Sequence, residues 1–585
     1  MRMLELIAKY AIREGLTVRP GFTAKTVKWL IEIDALGNYV GIQELGNAGD
    51  NRNLGLEFNS CPEFPQNEMQ SGGKAHPVVE SLSVVALLAK TEEMRATPKD
   101  FTKHAYFSDL LRDLGTKMPE AAICVAALSN SETLLRIQSD FYRARAKPTD
   151  KASFAVNGRA LLDSKIIAEW WVSRRGASQA TIIQPGGARC LVTGELTTPL
   201  ATHPKIGGLS TVGGLPIGSS LISFDKGAFT SFGLDQSANA VVSEEAAMQY
   251  RAGLNHLISR GKKLGPMIVG HWFSGGVPEE CDLLPWLIDG EEHLRDNSAA
   301  RSRMQQLLAA VEAGERGGLG AFRYYVLTVS GAAGRVMLRD WQEGQYADLV
   351  SAVSKWFRDL SIVATDGQRE IHDPKFIAVA GSTVRELDNL EAPMMAALWR
   401  AAFTSGKVPL AAVRGAVSRN RIDVLEDVRR PIRMALLKAY VIRNTNHGEH
   451  MQPYLNTEHP KAAYQAGRLM AVLANIQYEA LGDVNANIVQ RFYPAASSTP
   501  ALVFGRLTRQ SQFHLNKIDG GLAHFLEEKL AAIWGQIQSD LPTTFSLEEQ
   551  TLFALGYYQQ LARDSQDRIS RAAAKKAKAE QGSQL

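Results

Sequence analysis

The sequence predicts an α+β N-terminal region with mixed β-hairpins and helices, followed by an all-α C-terminal helix bundle. Two observations predict this fold class. Strand and helix patterns alternate through residues 1–384, and strand patterns stop after that point. A basic helical connector at 385–450 then leads to residues 451–585, where only helical patterns remain. We therefore expect three regions along the chain.

Two hairpin patterns mark the N-terminal region. Residues 27–33 partly alternate between apolar and polar side chains, a turn follows at 37–38, and the pattern resumes at 39–42. The second hairpin joins 323–329 to 335–339 through a turn that contains glycine. Both patterns predict antiparallel strand pairs.

Helical patterns lie between these hairpins. Apolar residues recur at helical spacing in residues 4–12, 160–171 and 244–258. Ser243 directly precedes the last of these segments, and a serine in that position caps a helix N-terminus. The mixture of these helices with the hairpins predicts the α+β class for this region.

The connector and the bundle are read as helices throughout. Residues 387–404 predict one helix, and residues 414–443 are helical with eight Lys or Arg against three Asp or Glu. Five helices with short joints make up the bundle. Their signals are Pro460 at a start, Gly482 just past an end, Pro494 as a stop for a helix at 484–493, helical patterns at 500–518 and 522–537, and a capping box that begins at Ser546.

Composition excludes several classes of protein. The 585 residues include 65 Lys and Arg against 61 Asp and Glu, a net charge of +4, which is too small for a chain that coats nucleic acid by itself. Any nucleic-acid site must therefore be a local patch or be shared with other chains. No CxxC pair occurs among the four cysteines, and no signal peptide or membrane span is seen, so we expect a cytoplasmic protein with reduced thiols.

Catalytic motifs are absent from the sequence. There is no phosphate-binding GxxxxGK[ST] loop, no HExxH and no GxSxG. The dipeptide His372-Asp373 is of a kind that some metal nucleases use, but the other ligands of such a site have no visible counterpart. A turn before Pro374 is the simpler interpretation. We expect no enzyme activity, no metal and no cofactor, and a metal-dependent nuclease using His372 and Asp373 is the alternative.

A polar loop at 47–74 is the first candidate for binding. It is rich in Asn, Gln and Gly, and ends in Ser71-Gly72-Gly73-Lys74. Carboxamides suit the reading of base edges, and small residues let a backbone enter a narrow groove. Turn chemistry is the alternative, because Asn and Gly also dominate turns.

A glycine-dense segment at 202–239 is the second candidate. It holds seven glycines with Lys205 and Lys226, and its acidic residues are Asp225 and Asp235. Such loops permit close backbone approach to a phosphate chain or a partner. Tight turns between short strands are the alternative.

Several stretches of the sequence carry a family resemblance. They are CLVTGE at 190–195, HPKI at 203–206, SSLISFD at 219–225, QSANA at 236–240, YQAGRLMAVL at 464–473, GDVNA at 482–486 and AASSTP at 495–500. The chain resembles the large subunit of the type I-C CRISPR interference complex (Cascade), in order along nearly the whole sequence. The segment from Cys61 to Lys74 fits as well.

The resemblance implies a non-catalytic subunit of a guide-RNA complex. Such a subunit lies near the 5′ end of the guide RNA, beside the cap subunit. It reads the protospacer-adjacent motif on double-stranded target DNA, helps to open the duplex, stabilises the R-loop and recruits the helicase-nuclease. Guide pairing supplies most of the specificity, so few base pairs need reading. Its partners would be the guide RNA, the target DNA, backbone and cap subunits, small subunits and the helicase-nuclease, with no membrane.

Within that framework the sequence offers site candidates. Those for motif reading are Asn67, Gln70, Gly72, Gly73 and Lys74. Those for guide-RNA or subunit contact are Lys205, Gly213, Gly214 and Asn239, and their segment also competes for the motif. Those for the displaced strand are Arg491, Arg506 and Arg509, with ordinary solvated helix faces as the alternative.

The resemblance also implies that the C-terminal bundle is equivalent to a small subunit made by internal translation. Gly448-Glu449 can be encoded by a purine-rich run that resembles a ribosome-binding site, and Met451 follows closely. We therefore predict Met451 as the internal start. A purely structural scaffold, with motif reading done elsewhere, is the remaining alternative for the whole chain.

Overall fold

The computed structural model describes residues 2–16, 19–46, 55–64, 66–69, 72–179, 187–224, 226–229, 232–289, 306, 309–310, 321–371, 374–423, 430–537 and 541–582. The chain divides into two compact units. The first comprises Met1–Ser210, Gly214–Ser259 and Ala333–Val336, and the second comprises Thr211–Gly213, Arg260–Ala332 and Met337–Leu585.

The strands of the first unit form small sheets. They are β1 (Phe22–Val27), β2 (Trp29–Ile33), β3 (Tyr39–Glu44), β4 (Leu56–Pro62), β5 (Glu80–Ser81), β6 (Lys151–Val156), β7 (Arg159–Ala160), β8 (Ala188–Arg189), β9 (Leu196–Thr197), β10 (Lys205–Ile206) and β11 (Ser219–Ser220). The main sheet has the order β3-β2-β6-β5, with β7 beside β6 and only β2 and β6 parallel among its described pairs. Strand β1 pairs with β4.

The first predicted hairpin is confirmed as β2 and β3. The Asp34 carboxylate accepts hydrogen bonds from the N–H groups of Leu36 and Asn38, at 2.9 and 2.8 Å, and Gly37 has a φ of 89°. That backbone conformation favours glycine, so the turn residues fix the register of the two strands.

The first unit also contains helices, several of which pack against this sheet. They are α1 (Arg2–Arg13), α2 (Gln66–Met69), α3 (Leu82–Val85), α4 (Pro98–Gly115), α5 (Pro119–Ser129), α6 (Ser131–Arg143), α7 (Lys165–Gln179) and α8 (Glu244–Arg260). The core between sheet and helices includes Ile31, Phe107, Phe154 and Trp171. The Ser243 cap is confirmed, since its Oγ accepts from the Ala246 N–H at 3.2 Å.

Helix α7 begins later than predicted. Residues 161–163 form a 3-10 turn, and Ser164 is extended, with its Oγ accepting from the Ile166 N–H at 3.3 Å. A serine that bonds the backbone two residues on competes with the helix, so the helix starts only at Lys165.

The second unit opens with a sheet and continues as helices. Its strands are β12 (Lys262–Leu264), β13 (Met267–Phe273), β14 (Arg323–Ala332), β15 (Arg335–Gln345), β16 (Ile362–Val363) and β17 (Glu370–Ile371). Strands β15, β14, β13 and β12 are adjacent in that order, which confirms the second predicted hairpin. Ala333 and Gly334, with φ of 46° and 79°, form its turn.

The helices of the second unit are α9 (Leu283–Asp289), α10 (Tyr346–Leu360), α11 (Phe376–Gly381), α12 (Ala392–Thr404), α13 (Leu410–Ile422), α14 (Arg430–Asn444), α15 (Ala462–Leu481), α16 (Ile488–Ala496), α17 (Ala501–Leu515), α18 (Gly520–Ile537) and α19 (Leu547–Gly582). The five helices predicted for the bundle are α15 to α19. The Ser546 capping box is confirmed, since its N–H donates to Glu549 and its Oγ accepts from the Glu549 N–H.

The prediction that Pro494 ends its helix is wrong. Helix α16 starts at Ile488 and runs through Pro494 to Ala496. A proline removes one backbone hydrogen bond to the preceding turn, but the Ser497 N–H still donates to the Tyr493 carbonyl at 2.9 Å. The local helix therefore survives the missing bond.

Helices α15 and α19 cross at unusually short distance because each presents a glycine. A Cβ added to Gly467 would lie 2.0 Å from the Phe553 carbonyl oxygen, and one added to Gly556 would lie 2.1 Å from the Tyr464 oxygen. Only glycine lets two backbones approach this closely. The crossing joins the two longest helices of the bundle.

Part of the basic charge of α14 is buried. The Arg433 Nε donates to the Ser382 carbonyl at 2.9 Å, and the Lys438 Nζ donates to the Asp359 carbonyl at 2.9 Å. The Arg443 Nε lies 2.6 Å from the Asp359 carboxylate, with both side chains nearly inaccessible. Burial lowers the pKa of Lys438 to about 8. These cations therefore make their contacts inside the unit and do not add to a basic surface.

Candidate nucleic-acid interface

The two candidate loops of the first unit meet at one cavity of about 260 Å³. Phe64, Met69 and His76 line it from the first polar loop and the residues that follow. Thr202, Lys205 and Ile217 line it from the glycine-dense segment. Two segments that the sequence presents as competitors therefore line the same cavity.

Aromatic packing holds the first loop at this cavity. The Phe64 ring meets the Trp171 ring edge to face, with centroids 4.8 Å apart, and the Phe64 N–H donates to the His76 Nδ1 at 3.3 Å. Burial lowers the pKa of His76 to about 3, so this nitrogen stays an acceptor at neutral pH. Sequence reasoning missed Phe64, although an aromatic residue between Glu63 and Pro65 in a polar loop was an available signal.

Lys74 lies beside the same ring. Its Nζ is 5.3 Å from the Phe64 centroid and 2.8 Å from a Glu68 carboxylate oxygen. The hydrogen bond to Glu68 raises the pKa of Lys74, so the amine stays charged. A partly exposed pair of this kind contributes little stability, and a phosphate group can therefore replace the carboxylate at small cost.

The rest of the first loop is described in part. Asn67 lies in α2, while Gln70 lies outside the described residues, as do residues 47–54. Gly72 has a φ of 76°, and a Cβ added there would approach Lys99 at 3.7 Å. A Cβ added to Gly73 would approach Thr102 at 3.5 Å. The two glycines therefore pass over the first turn of α4.

Positive charge in the cavity comes from Lys205 in β10 and Arg251 in α8. Neither makes an ion pair with any residue in the described part of the chain. Glu63 and Glu244 also line the cavity, but Glu244 is held by Arg175, whose Nη2 lies 2.6 Å from both of its carboxylate oxygens. Arg251 was not predicted, because a lone arginine in a helix gives no signal in the sequence.

The other candidates in the glycine-dense segment serve local structure. The Asn239 amide donates to the carbonyls of Leu234 and Gln236, at 2.8 and 3.1 Å. A Cβ added to Gly213 would lie 2.7 Å from the Gly331 oxygen, and one added to Gly214 would lie 2.5 Å from the Leu209 Cβ. Packing therefore explains both glycines without a ligand.

The arginines predicted for the displaced strand lie on neighbouring helices of the second unit. Arg491 is exposed on α16, and Arg506 and Arg509 are exposed on α17. Leu502 and Phe513, 76% and 66% exposed, follow helical spacing with the α17 arginines and lie on the same face. Exposed rings beside cations are how proteins bind single strands without sequence preference.

Sequence reasoning missed this mixed face of α17. The opposite face is buried through Val503, Phe504 and Leu507. The available signal was that α17 has apolar residues on two faces. A surface helix buries one apolar face, so apolar residues on the opposite face are not explained by packing within the chain.

Met451 is buried in the core of the second unit. Its N–H donates to the Gly448 carbonyl at 3.1 Å, and its side chain is 7% exposed. The core continues across this residue, since the Tyr558 hydroxyl donates to the Val363 carbonyl at 2.7 Å and the Asn420 amide donates to the Tyr493 hydroxyl at 2.6 Å. The bundle therefore packs on residues that precede Met451.

The alternative nuclease site is not tested by the described residues. His372 and Asp373 lie outside them, and no cluster of three or more metal-ligating side chains occurs in the part of the chain that the structure describes. Within the same residues, every helix is too short or too polar to cross a membrane.

Comparison with known protein families gives a match over nearly the whole chain. The model of a family described as CRISPR-associated protein (Cas_Csd1) matches residues 6–563, which is nearly the whole chain. No curated protein matches the sequence.

Proposed function

Because the chain belongs to the Cas_Csd1 family of CRISPR-associated proteins, we propose that it is the non-catalytic large subunit of a type I-C interference complex. Membership implies a complex with other CRISPR-associated subunits and RNA. In our proposal the subunit reads the protospacer-adjacent motif on double-stranded DNA, helps to open the duplex, holds the displaced strand and recruits the helicase-nuclease.

The observation that carries this proposal is the cavity shared by the two candidate loops. Lys205 and Arg251 line it and make no ion pair within the described residues, and Lys74 lies beside Phe64 at the same cavity. Asn67 and Gln70 belong to the same loop in the sequence. Lysine and arginine position a duplex through its phosphates, and carboxamides read base edges. This division of labour suits a subunit that must recognise only a few base pairs.

The decisive experiment measures duplex binding by the reconstituted guide-RNA complex over a library of flanking motifs, with and without this chain. We expect motif preference only when the chain is present. Asn67→Ala and Gln70→Ala should relax the preference. Lys205→Ala and Arg251→Ala should weaken binding equally for all motifs and lower the salt slope by about one each.

Lys147→Ala is the matched control, because Lys147 is exposed in the same unit and outside the cavity. It should leave both the preference and the salt slope unchanged. A complex that lacks this chain and still discriminates motifs equally well would make the protein a structural scaffold.

We also propose that translation starts internally at Met451 and yields a small subunit of residues 451–585. Met451→Leu, encoded by CTT, removes the start codon and keeps the volume of the buried side chain. We expect the free C-terminal fragment to disappear while the full-length chain persists. A synonymous Gly448 codon that ends in a pyrimidine interrupts the purine run and should lower the yield of the fragment. A fragment unchanged by Met451→Leu would contradict the internal start.

A further inference from the structure

A second cavity, of about 480 Å³, lies within the second unit. Helices α15, α18 and α19 line it together with residues around 363–367 and 454–457. It falls in the size range of small-molecule sites. Three cationic side chains line it: Arg468, Lys529 and Arg563. The motif-reading proposal makes no use of this cavity.

Arg468 is the unusual member of this set. It is only 6% exposed, and its Nε donates to the Gln560 side-chain oxygen at 3.1 Å. Its Nη1 donates to the Thr457 carbonyl at 2.9 Å and to the Gln465 side-chain oxygen at 2.7 Å. All three acceptors are neutral, and burial lowers the pKa of the guanidinium. Within the described residues, Nη2 has no hydrogen-bond partner and the guanidinium has no ion pair.

The carboxylates of Glu458 and Asp564 act on Arg468 only through space, and its direct hydrogen bonds go to neutral groups. Burying a cation without an anion in direct contact is costly for a fold. The hydrogen bonds on Nε and Nη1 fix the plane of the guanidinium, while the residue still lines the cavity. The Arg468 guanidinium is therefore held in a fixed orientation in which it can donate a hydrogen bond to an oxygen of a bound anion.

The other charges lining the cavity are paired. The Lys529 Nζ lies 2.5 Å from an Asp564 oxygen, and the Arg563 Nε lies 3.1 Å from an Asp567 oxygen. Asp567 also lines the cavity. The excess positive charge is therefore that of Arg468. Because the Arg563 side chain is largely exposed, it can turn toward a ligand at the mouth.

Two aromatic rings are also available there. Phe525 and Tyr454 line the cavity and are 46% and 44% exposed, and the Lys529 Nζ is 5.8 Å from the Phe525 centroid. Exposed rings of this kind stack on planar heterocycles. A phosphate next to a planar ring is the chemistry of a nucleotide.

We propose that this cavity binds one nucleotide unit, with a phosphate oxygen on Arg468 and the base against Phe525 or Tyr454. The nucleotide is either part of a nucleic-acid strand or a free mononucleotide. The inference depends on the cavity alone and stands or falls separately from motif reading.

The test uses the purified full-length chain without guide RNA and measures binding of thymidine 5′-monophosphate, thymidine and a fifteen-residue oligothymidylate. We expect the monophosphate to bind and thymidine to fail. Arg468→Lys should weaken binding of the monophosphate about tenfold or more, because lysine cannot reproduce the planar set of donors of the guanidinium. Tighter binding of the oligonucleotide with the same Arg468 dependence identifies a strand as the source. Binding of the monophosphate alone identifies a free nucleotide.

Arg563→Gln and Phe525→Leu keep the test valid if Arg468→Lys fails to fold, because both side chains are exposed. Each of these two variants should weaken binding of the monophosphate several-fold. Arg568→Gln is the matched control, since Arg568 is exposed on the same helix and lies outside the cavity, over the Tyr478 ring. Equal binding by all variants, or no binding of either phosphate ligand, would overturn the proposal.

Discussion

The crossing of α15 and α19 gives the sharpest prediction on stability. A Cβ added at Gly467 would sit 2.0 Å from the Phe553 oxygen and 2.7 Å from the Tyr557 nitrogen, where ordinary contact needs at least 3.4 Å. Both neighbours are backbone atoms of a helix and cannot rotate away. For Gly467→Ala, the helices must therefore separate by roughly an ångström, which costs about 3 kcal/mol. The gain in helix propensity, about 1 kcal/mol, leaves a net loss of about 2 kcal/mol.

Urea unfolding followed by circular dichroism, with hydrogen exchange of peptides from α15 and α19, measures this loss within the second unit. Gly556→Ala should behave alike, because its added Cβ would meet the Tyr464 oxygen at 2.1 Å. The double variant should lose less than the sum, since one displacement relieves both clashes. Gly505→Ala on α17 is the control, and with nothing within 4 Å it should gain up to about 1 kcal/mol. A Gly467→Ala variant as stable as the parent chain would contradict the close approach of the α15 and α19 backbones at Gly467.

Two further predictions concern buried charge. Asp359→Asn leaves the buried Arg443 without its carboxylate, so we expect a loss of about 3–5 kcal/mol by urea unfolding, and a loss below 1 kcal/mol would contradict the pairing. His76 has its pKa lowered from 6.5 to about 3, so the unfolded chain binds the extra proton first and stability falls as pH drops from 6.5 toward 3. The loss should reach about 2 kcal/mol at pH 5. His76→Gln should remove it, and unchanged pH dependence of the urea midpoint in that variant would refute the assignment.

Local patterns predicted the elements well wherever a turn or a cap fixes them. The alternation around Gly37 and the Ser546 capping box both correspond to the observed hairpin and helix start. The helix end predicted at Pro494 is wrong because proline removes only one backbone hydrogen bond, and burial of Tyr493 and Ala496 retains the turn.

The site was predicted only in pieces. Lys74 and Lys205 stand 131 positions apart (205 − 74), and nothing local indicates that their segments line one cavity. Arg251 lies in no motif, and Arg468 lies in the stretch 464–473 that carries only the family resemblance. What singles out both side chains is that they make no ion pair within the described residues, which is a property of the folded chain. The glycines at 213 and 214 show the reverse case, since a loop that suggests ligand binding is explained by packing.

The hydrogen bonds that tie Tyr493 and Tyr558 to Asn420 and Val363 have a consequence for how this gene can change. Under the proposed internal start, the same codons specify two polypeptides, and in the shorter one these tyrosines lose their partners. Tyrosine suits both the long and the short polypeptide, because its ring packs in the core while its hydroxyl can hydrogen-bond to water in place of the lost protein partner. Phenylalanine at position 493 would leave the Asn420 amide without its hydrogen bond in the long polypeptide. A smaller polar residue at either tyrosine position would leave a void in both polypeptides. Selection therefore acts on each such position twice, and drift there should be slower than burial alone implies.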